Sequence, residues 1–236
     1  PLSFDPNLNE KVNLCQCMGI TVSMVLDLRN TGMTKADVAM VGQVPVLKFH
    51  VVNLNEGQLF LKRLMDVIGA MIGMVIFGLA YLIFAPLIKL ESPGPVIFKQ
   101  DRIGKNGRIF TMLKFRTMVA DAEIRKSELL SLNEMNGHIF KIKQDPRVTK
   151  IGAFLRKSSI DETPQFLNVL RGDMSLVGTR PPTVDEYREY EANQRCRISI
   201  TPGLTGIWQI SGRSDIKDFD EIIKMDIEYI SNWSLL

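Results

Sequence analysis

Hydrophobic positions along the chain are grouped rather than evenly spread. The longest group, Val67–Ile88 (VIGAMIGMVIFGLAYLIFAPLI), runs 22 residues without a charge. As a helix rising about 1.5 Å per residue it would be roughly 33 Å long, enough to cross a hydrocarbon core. A core helix is the soluble alternative, but a domain this small rarely encloses so long a segment on every side. The run is therefore read as a membrane segment. Ahead of it, Ile20–Leu26 and Val44–Phe49 have the composition of strands, separated by the polar stretch Asp27–Asp37. Behind it, Pro and Gly at 93–95 mark a turn, and Val96–Lys99 and Phe110–Phe115 read as a hairpin around Gly104–Gly107. Helical spacing predicts helices over Ala120–Asn133, from about Ser158 to Leu170 with Gly172 as the stop, over Tyr187–Arg195 and over Asp218–Ile230. Pro202–Gly206 reads as a turn.

These patterns predict a membrane-associated α/β (α+β) chain in three parts. Residues 1–57 read as the C-terminal remnant of a Rossmann-like α/β accessory domain, a piece of a longer protein, since the first residue is Pro1. Residues 58–92 hold the membrane helix, and 93–236 form the domain in which any chemistry is to be sought.

Charge sharpens this division. The net charge of +3 conceals a balanced block over 1–98, a block of +8 over 99–157 and one of −5 over 158–236. A basic block can face nucleic acid, anionic lipid or phosphorylated small molecules; its place directly after the apolar run favours lipid. Lys62 and Arg63 precede the run, and Lys89, Lys99, Arg102, Lys105 and Arg108 follow it. A single crossing helix carries its positive excess on one side only. Charge at both flanks predicts a re-entrant segment, anchored by Lys62 and Arg63 and broken at Gly78 or Pro86. Three cysteines and two distant histidines, His50 and His138, cannot build a four-ligand zinc site. Cys15 and Cys17 alternate as on a strand edge and are read as reduced, small apolar residues.

The chemistry must then come from carboxylates, Arg or Lys, backbone amides or an added metal. Asp161-Glu162 is the candidate pair. Ser159-x-x-Glu162 fits a capping box, and an acidic first turn of a helix is explanation enough on spacing alone. The same helix terminus would also attract phosphate, and Arg156, Arg171, Asp173 and Arg180 are near in sequence. Spacing leaves both readings open.

The surrounding residues go further. Arg156-Lys-Ser-Ser-Ile-Asp161-Glu162-Thr-Pro-Gln165 and Asn168-Val-Leu-Arg-Gly172-Asp-Met-Ser-Leu-Val-Gly178-Thr-Arg180-Pro181 closely resemble the bacterial sugar transferases, the polyprenyl-phosphate hexose-1-phosphate transferases or monotopic phosphoglycosyl transferases. Lys62-Arg63-x-x-Asp66, Pro95-Val-Ile-Phe98-x-Gln100-x-Arg102-x-Gly104, Lys114-Phe-Arg-Thr-Met118 and Pro202-Gly-Leu-Thr-Gly-Ile-Trp-Gln209 follow the same family's order. Two positions depart from it: Thr163 stands where leucine is usual, and Gly78-Leu79 falls where the family breaks its membrane helix with Ser-Pro.

The resemblance implies an enzyme that moves hexose-1-phosphate, glucose-1-phosphate by the subgroup it is most similar to, from a UDP-sugar to undecaprenyl phosphate, releasing UMP. This is the first membrane step of capsule or exopolysaccharide synthesis. Asp161 would carry the phosphosugar covalently, and Glu162 would position Mg²⁺ or the attacking group, with both carboxylates as metal ligands. Arg180 is expected to hold a phosphate, with Arg156, Lys114 and Arg116 as further phosphate contacts; structural pairing with acidic residues explains Lys114 and Arg116 equally well. The expected setting is the inner (plasma) membrane with the catalytic domain on the cytoplasmic face. Partners are membrane lipids, with homo-oligomerisation open and no nucleic acid. Two rivals stand beside this reading. One is a non-catalytic, membrane-bound assembly or regulatory subunit that binds nucleotide-sugars; the other is a lipid-linked phosphohydrolase using the same aspartyl chemistry on water.

Overall fold

The computed structural model describes residues 8–25, 36–42, 44–49, 56–125, 128–129, 133, 142, 144–191, 194–211, 216 and 218–233; His50 and His138 lie outside these. Helix α1 (Leu8–Cys17) precedes three strands, β1 (Val22–Val25), β2 (Ala36–Val41) and β3 (Val44–Phe49). They pair antiparallel in the order β1-β3-β2, with Val22 opposite Phe49 and Val41 opposite Val44. Both expected strands are present. β2, which was not expected, begins at the last two residues of the polar stretch Asp27–Asp37 and pairs with the second edge of β3.

Cys15 and Cys17 sit on a helix, not on a strand edge. Cys17 is joined to Cys196 in a disulfide, while Cys15 is a free thiol. The expectation of reduced cysteines fails for the pair because 179 residues separate its members and only the fold brings them together.

Helix α2 (Glu56–Glu91) is a single α-helix of 36 residues, helical through both Gly78 and Pro86. The expected break into two helical pieces does not occur. Only 17% of its most apolar window is buried, so this is not the core helix of a soluble domain. What burial there is follows one face: Asp66, Ala70, Gly73, Ala80, Ala85 and Ile88 recur at helical spacing and point into the domain. Small residues let neighbours approach. A Cβ at Gly73 would meet the Phe166 ring at 2.3 Å, and one at Gly69 would meet Leu176 at 2.5 Å. The opposite face exposes Leu64, Ile68, Ile72, Val75, Leu79 and Leu82.

The hairpin of β4 (Ile97–Ile103) and β5 (Ile109–Phe115) forms as expected, in register from Ile97 opposite Phe115 to Ile103 opposite Ile109. Asn106 (φ 56) and Gly107 (φ 80) make its tight left-handed turn. Phe115, Ala80, Ile88 and Leu155 pack into one core cluster, and Met112, Ala70, Val169 and Met174 into another, so the hairpin is seated along α2. The Asn168 side chain acts as a surrogate strand. Its Oδ1 accepts from Leu113 N at 3.1 Å, and its Nδ2 donates to Thr111 O at 2.8 Å.

The helix expected over 120–133 is absent among the described residues, which make turns and a short 3-10 stretch. Buried Arg147, paired with Asp145 at 2.6 Å, donates to the Ala122 carbonyl at 3.0 Å and so takes the acceptor a helix would use internally. Helices α3 (Lys150–Lys157) and α4 (Gln165–Arg171) follow, the latter ended by Gly172 at φ 89. β6 (Ser175–Val177) pairs in parallel with β7 (Gly203–Thr205). The expected turn at Pro202–Gly206 is thus a strand, created by a partner far away in sequence. Three short helical pieces, α5 (Val184–Arg188), a 3-10 turn over Gln194–Ile198 and α6 (Ile207–Ile210), lead to α7 (Phe219–Ser231). Asp218 caps α7 by accepting from Asp220 N, so this helix ends the described chain as expected.

Candidate active site

Asp161 and Glu162 lie in a 3-10 turn, Ile160–Glu162, wedged between α3 and α4. Ser159 enters it in the left-handed region (φ 56, ψ 15) and its hydroxyl makes no cap. The expected capping box therefore does not form, and Glu162 reaches outward instead. Its Oε1 accepts from Lys114 Nζ at 3.1 Å, across to the hairpin. Asp161 is 8% exposed, a carboxylate held at the edge of the protein interior. Lys114 feels both carboxylates, yet burial outweighs them and depresses its pKa.

The hairpin carries the charge pattern onward from Lys114. Arg102, on β4, donates through Nε and Nη2 to Gln100 Oε1 (3.0 and 2.7 Å) and through Nη1 to Pro181 O (3.0 Å). An isolated bridge from Arg102 to Thr183 brings in the next segment. There Thr183 caps α5 through a true capping box, its Oγ1 accepting from Glu186 N while its own N donates to Glu186 Oε2. The cap presents the Glu186 carboxylate to Arg180, which grips it with both Nη atoms at 3.1 and 3.2 Å; Arg102 Nη1 stands 4.0 Å away. Arg180 also lies over the Trp208 ring, 5.9 Å from its centroid.

Burial alone would raise Glu186, but Arg180, Arg102 and the Thr183 amide hold its pKa at about 2. Burial, with the repulsion of Arg180, lowers Arg102 to about 10. The result is a run of side chains of mixed sign, Asp161, Glu162, Lys114, Arg102, Glu186 and Arg180, carried by the hairpin and two short turns. Such an array offers N–H donors to a phosphate beside a carboxylate.

Of the residues expected at the site, the structure brings Asp161, Glu162, Lys114 and Arg180 into this run. Arg156 is on the last turn of α3, just before the pair, with Nε donating to Thr117 Oγ1 at 2.9 Å. Arg116 is placed otherwise. Its guanidinium donates to Ile88 O, Ser92 O and Pro93 O and so caps the C-terminus of α2. Lys62 and Arg63 also turn in toward the domain. Lys62 pairs with Asp66 at 2.7 Å and with Ser175, and Arg63 donates to Val169 O and Leu170 O at the end of α4. Both sit on the packed face of α2, where orphan carbonyls and a buried carboxylate draw them in. Gly78 faces open space, and Pro86 lies inside the helix. Glu186 was not expected; Thr183-x-x-Glu186 was the signal that could have found it.

A metal has limited purchase. Among the described residues no group of three His, Cys, Asp or Glu could enclose one. Two adjacent carboxylates, Asp161 and Glu162, nevertheless suit Mg²⁺, which is usually held by one or two carboxylates together with substrate phosphates.

Residues 57–236 match the family described as Bacterial sugar transferase. The chain is 47% identical over 231 residues to the Galactosyl transferase CpsE of Streptococcus agalactiae, covering 97% of this chain and 51% of that protein. It is 35% identical over 225 residues to the Undecaprenyl-phosphate galactose phosphotransferase of Salmonella typhimurium, covering 93% and 46%. It is 36% identical over 199 residues to the UDP-glucose:undecaprenyl-phosphate glucose-1-phosphate transferase of Escherichia coli, covering 81% and 40%. The chain thus spans about half the length of these relatives or less. It belongs to the bacterial sugar transferase family.

Proposed function

We propose that this bacterial sugar transferase moves a hexose-1-phosphate from a UDP-sugar to undecaprenyl phosphate, releasing UMP, as the membrane step that starts capsule or exopolysaccharide assembly. The observation that carries the reading is Asp161: a nearly buried carboxylate in a tight turn, within the electrostatic reach of Lys114, on a domain seated along a long apolar helix.

A carboxylate oxygen of Asp161 attacks the β-phosphorus, and the bond from that phosphorus to the bridging oxygen breaks, its electron pair leaving on UMP. An oxygen of the lipid phosphate then attacks the same phosphorus, forming the lipid diphosphate-sugar and restoring the carboxylate. Two displacements replace one hard one. Lys114 places its ammonium N–H donors beside the attacking carboxylate, and Glu162 keeps Lys114 in place. Arg180, fixed by Glu186 and Trp208, presents its remaining N–H groups to a phosphate. Asp161 and Glu162 are the residues that would hold Mg²⁺, whose charge neutralises the diphosphate when bound.

The sugar is a hexose. Relatives named for galactose and for glucose both align with this chain, and that supports neither sugar over the other. We place the domain on one side of the membrane, the cytoplasmic face, where UDP-sugars are made.

The test combines the protein with undecaprenyl phosphate, Mg²⁺ and either UDP-glucose or UDP-galactose, following UMP. Asp161→Asn is expected to reduce release by at least a thousandfold and to abolish labelling of the protein by a donor carrying ³²P at the β position. Wild-type turnover by Asp161→Asn would remove the covalent step. Nucleotide-sugar binding without UMP release would favour the non-catalytic rival, and release of free sugar phosphate the phosphohydrolase.

A further inference from the structure

A cavity of about 240 Å³ opens where the first turns of α2 meet residues 172–175 and the end of α7. Helix α4, seven residues and about 10 Å long, separates its Gly172 wall from the turn that holds Asp161. Three cations line the cavity, Lys62, Arg63 and Lys105, against one carboxylate, Asp66. That carboxylate is already surrounded by donors. It accepts from Lys62 Nζ at 2.7 Å, Ser175 Oγ at 3.0 Å and Leu176 N at 2.9 Å. The lining therefore keeps a formal charge of +2.

Arg63 is held rigid by the carbonyls of Val169 and Leu170, at 2.6 and 2.7 Å through its two Nη atoms. Each Nη retains a second N–H. Lys105 stands exposed in the turn of the hairpin, at the mouth of the cavity. The rim is apolar or amphipathic: Leu59 and Val177 are each 42% exposed there, joined by Tyr229 and Trp233. Leu59 also begins the exposed face of α2 that continues through Leu64 and Ile68. A cationic interior behind a lip continuous with a lipid-facing surface matches an amphiphile with an anionic head.

We propose that this cavity binds the phosphate headgroup of an anionic membrane lipid, at a site separate from Asp161. The proposal rests on the membrane placement of α2 and is independent of the chemistry at Asp161, so its test requires no turnover. Calorimetric titration of the detergent-purified chain with dihexanoyl phosphatidic acid is expected to saturate one site. Dihexanoyl phosphatidylcholine should show no saturable binding, and inorganic phosphate should bind at least tenfold more weakly. Lys105→Glu should weaken the phosphatidic acid at least tenfold, as should Thr201→Trp, which fills the cavity, while Asp161→Asn leaves the affinity unchanged. The proposal is overturned by the absence of saturable binding, or by affinity indifferent to both cavity variants. Loss of binding in Asp161→Asn would assign the lipid to the reaction centre. Equal affinity for inorganic phosphate would make this a site for free anions.

Discussion

Glu186 organises more of the candidate centre than any residue nearer the carboxylate pair. It is 8% exposed, it closes the cap of α5, and it holds Arg180 in a two-point grip with Arg102 alongside. Its folded pKa of about 2 lies below the ordinary value of 4.5. A depressed carboxylate pKa stabilises the fold above its unfolded value, and the contribution disappears as pH falls through the folded one. At roughly 1.4 kcal/mol per unit it amounts to about 3 kcal/mol at neutral pH, lost between about pH 5 and pH 2. Glu186→Gln is therefore expected to lower the Tm at pH 7 and to flatten the acid limb of stability across that window, as followed by thermal unfolding at several pH values. An unchanged acid limb would assign that titration elsewhere. The sequence shows Thr183-x-x-Glu186 as a cap, but not the two arginines that meet at its carboxylate, because they arrive from positions 102 and 180.

At the scale of the element, α2 has two faces whose glycines play opposite parts. Gly73 lets the Phe166 ring lie against the helix backbone, whereas a Cβ at Gly78 would have nothing within 4 Å. Gly73→Ala is expected to destabilise by about 1–3 kcal/mol, by forcing α4 away from α2. Gly78→Ala should be neutral or stabilising by up to about 1 kcal/mol, since alanine is the better helix former. Thermal unfolding in detergent separates the two, and equal effects would contradict the packing described. The hydrophobic run announces a helix long and apolar enough to cross a membrane. Its packed stripe is harder to see, since Ala70, Gly73 and Ala80 are as apolar as their exposed neighbours and differ mainly in size. Arg116 shows the same limit: its charge is evident, but the carbonyls it caps belong to the end of a helix more than 20 residues away.

At the scale of the molecule, the relation of α2 to the domain decides the topology. The helix is about 54 Å long, well beyond a hydrocarbon core. Contacts run along it, from α4 and β6 near Asp66 to Phe115 and Leu155 near Ile88. A perpendicular crossing would draw buried arginines and a charged hairpin into lipid, at a cost of several kcal/mol for each uncompensated group. Single cysteines replacing Gln58 and Pro95, in a background free of Cys15, Cys17 and Cys196, should be labelled from the same side in sealed vesicles. Labelling from opposite sides would establish a crossing helix. The N-terminal segment joins the same body, since α1 packs on the turn Gln194–Ile198 and is tied to it by Cys17–Cys196.

By itself, the sequence determined the long apolar helix, the hairpin, the stop at Gly172, helix α7 and the family, because each depends on patterns contained in a few consecutive residues or on short motifs in a fixed order. Only the tertiary structure decided that residues 203–205 form a strand and that residues near 122 do not continue a helix. It alone directed Arg116 to the carbonyls at the end of α2 rather than to a phosphate, turned Lys62 and Arg63 in toward the domain, and added Glu186 to the centre. The physical reason recurs: a backbone amide, a carbonyl or a guanidinium takes whichever partner the fold brings within about 3 Å, and most of those partners lie tens of residues away along the chain.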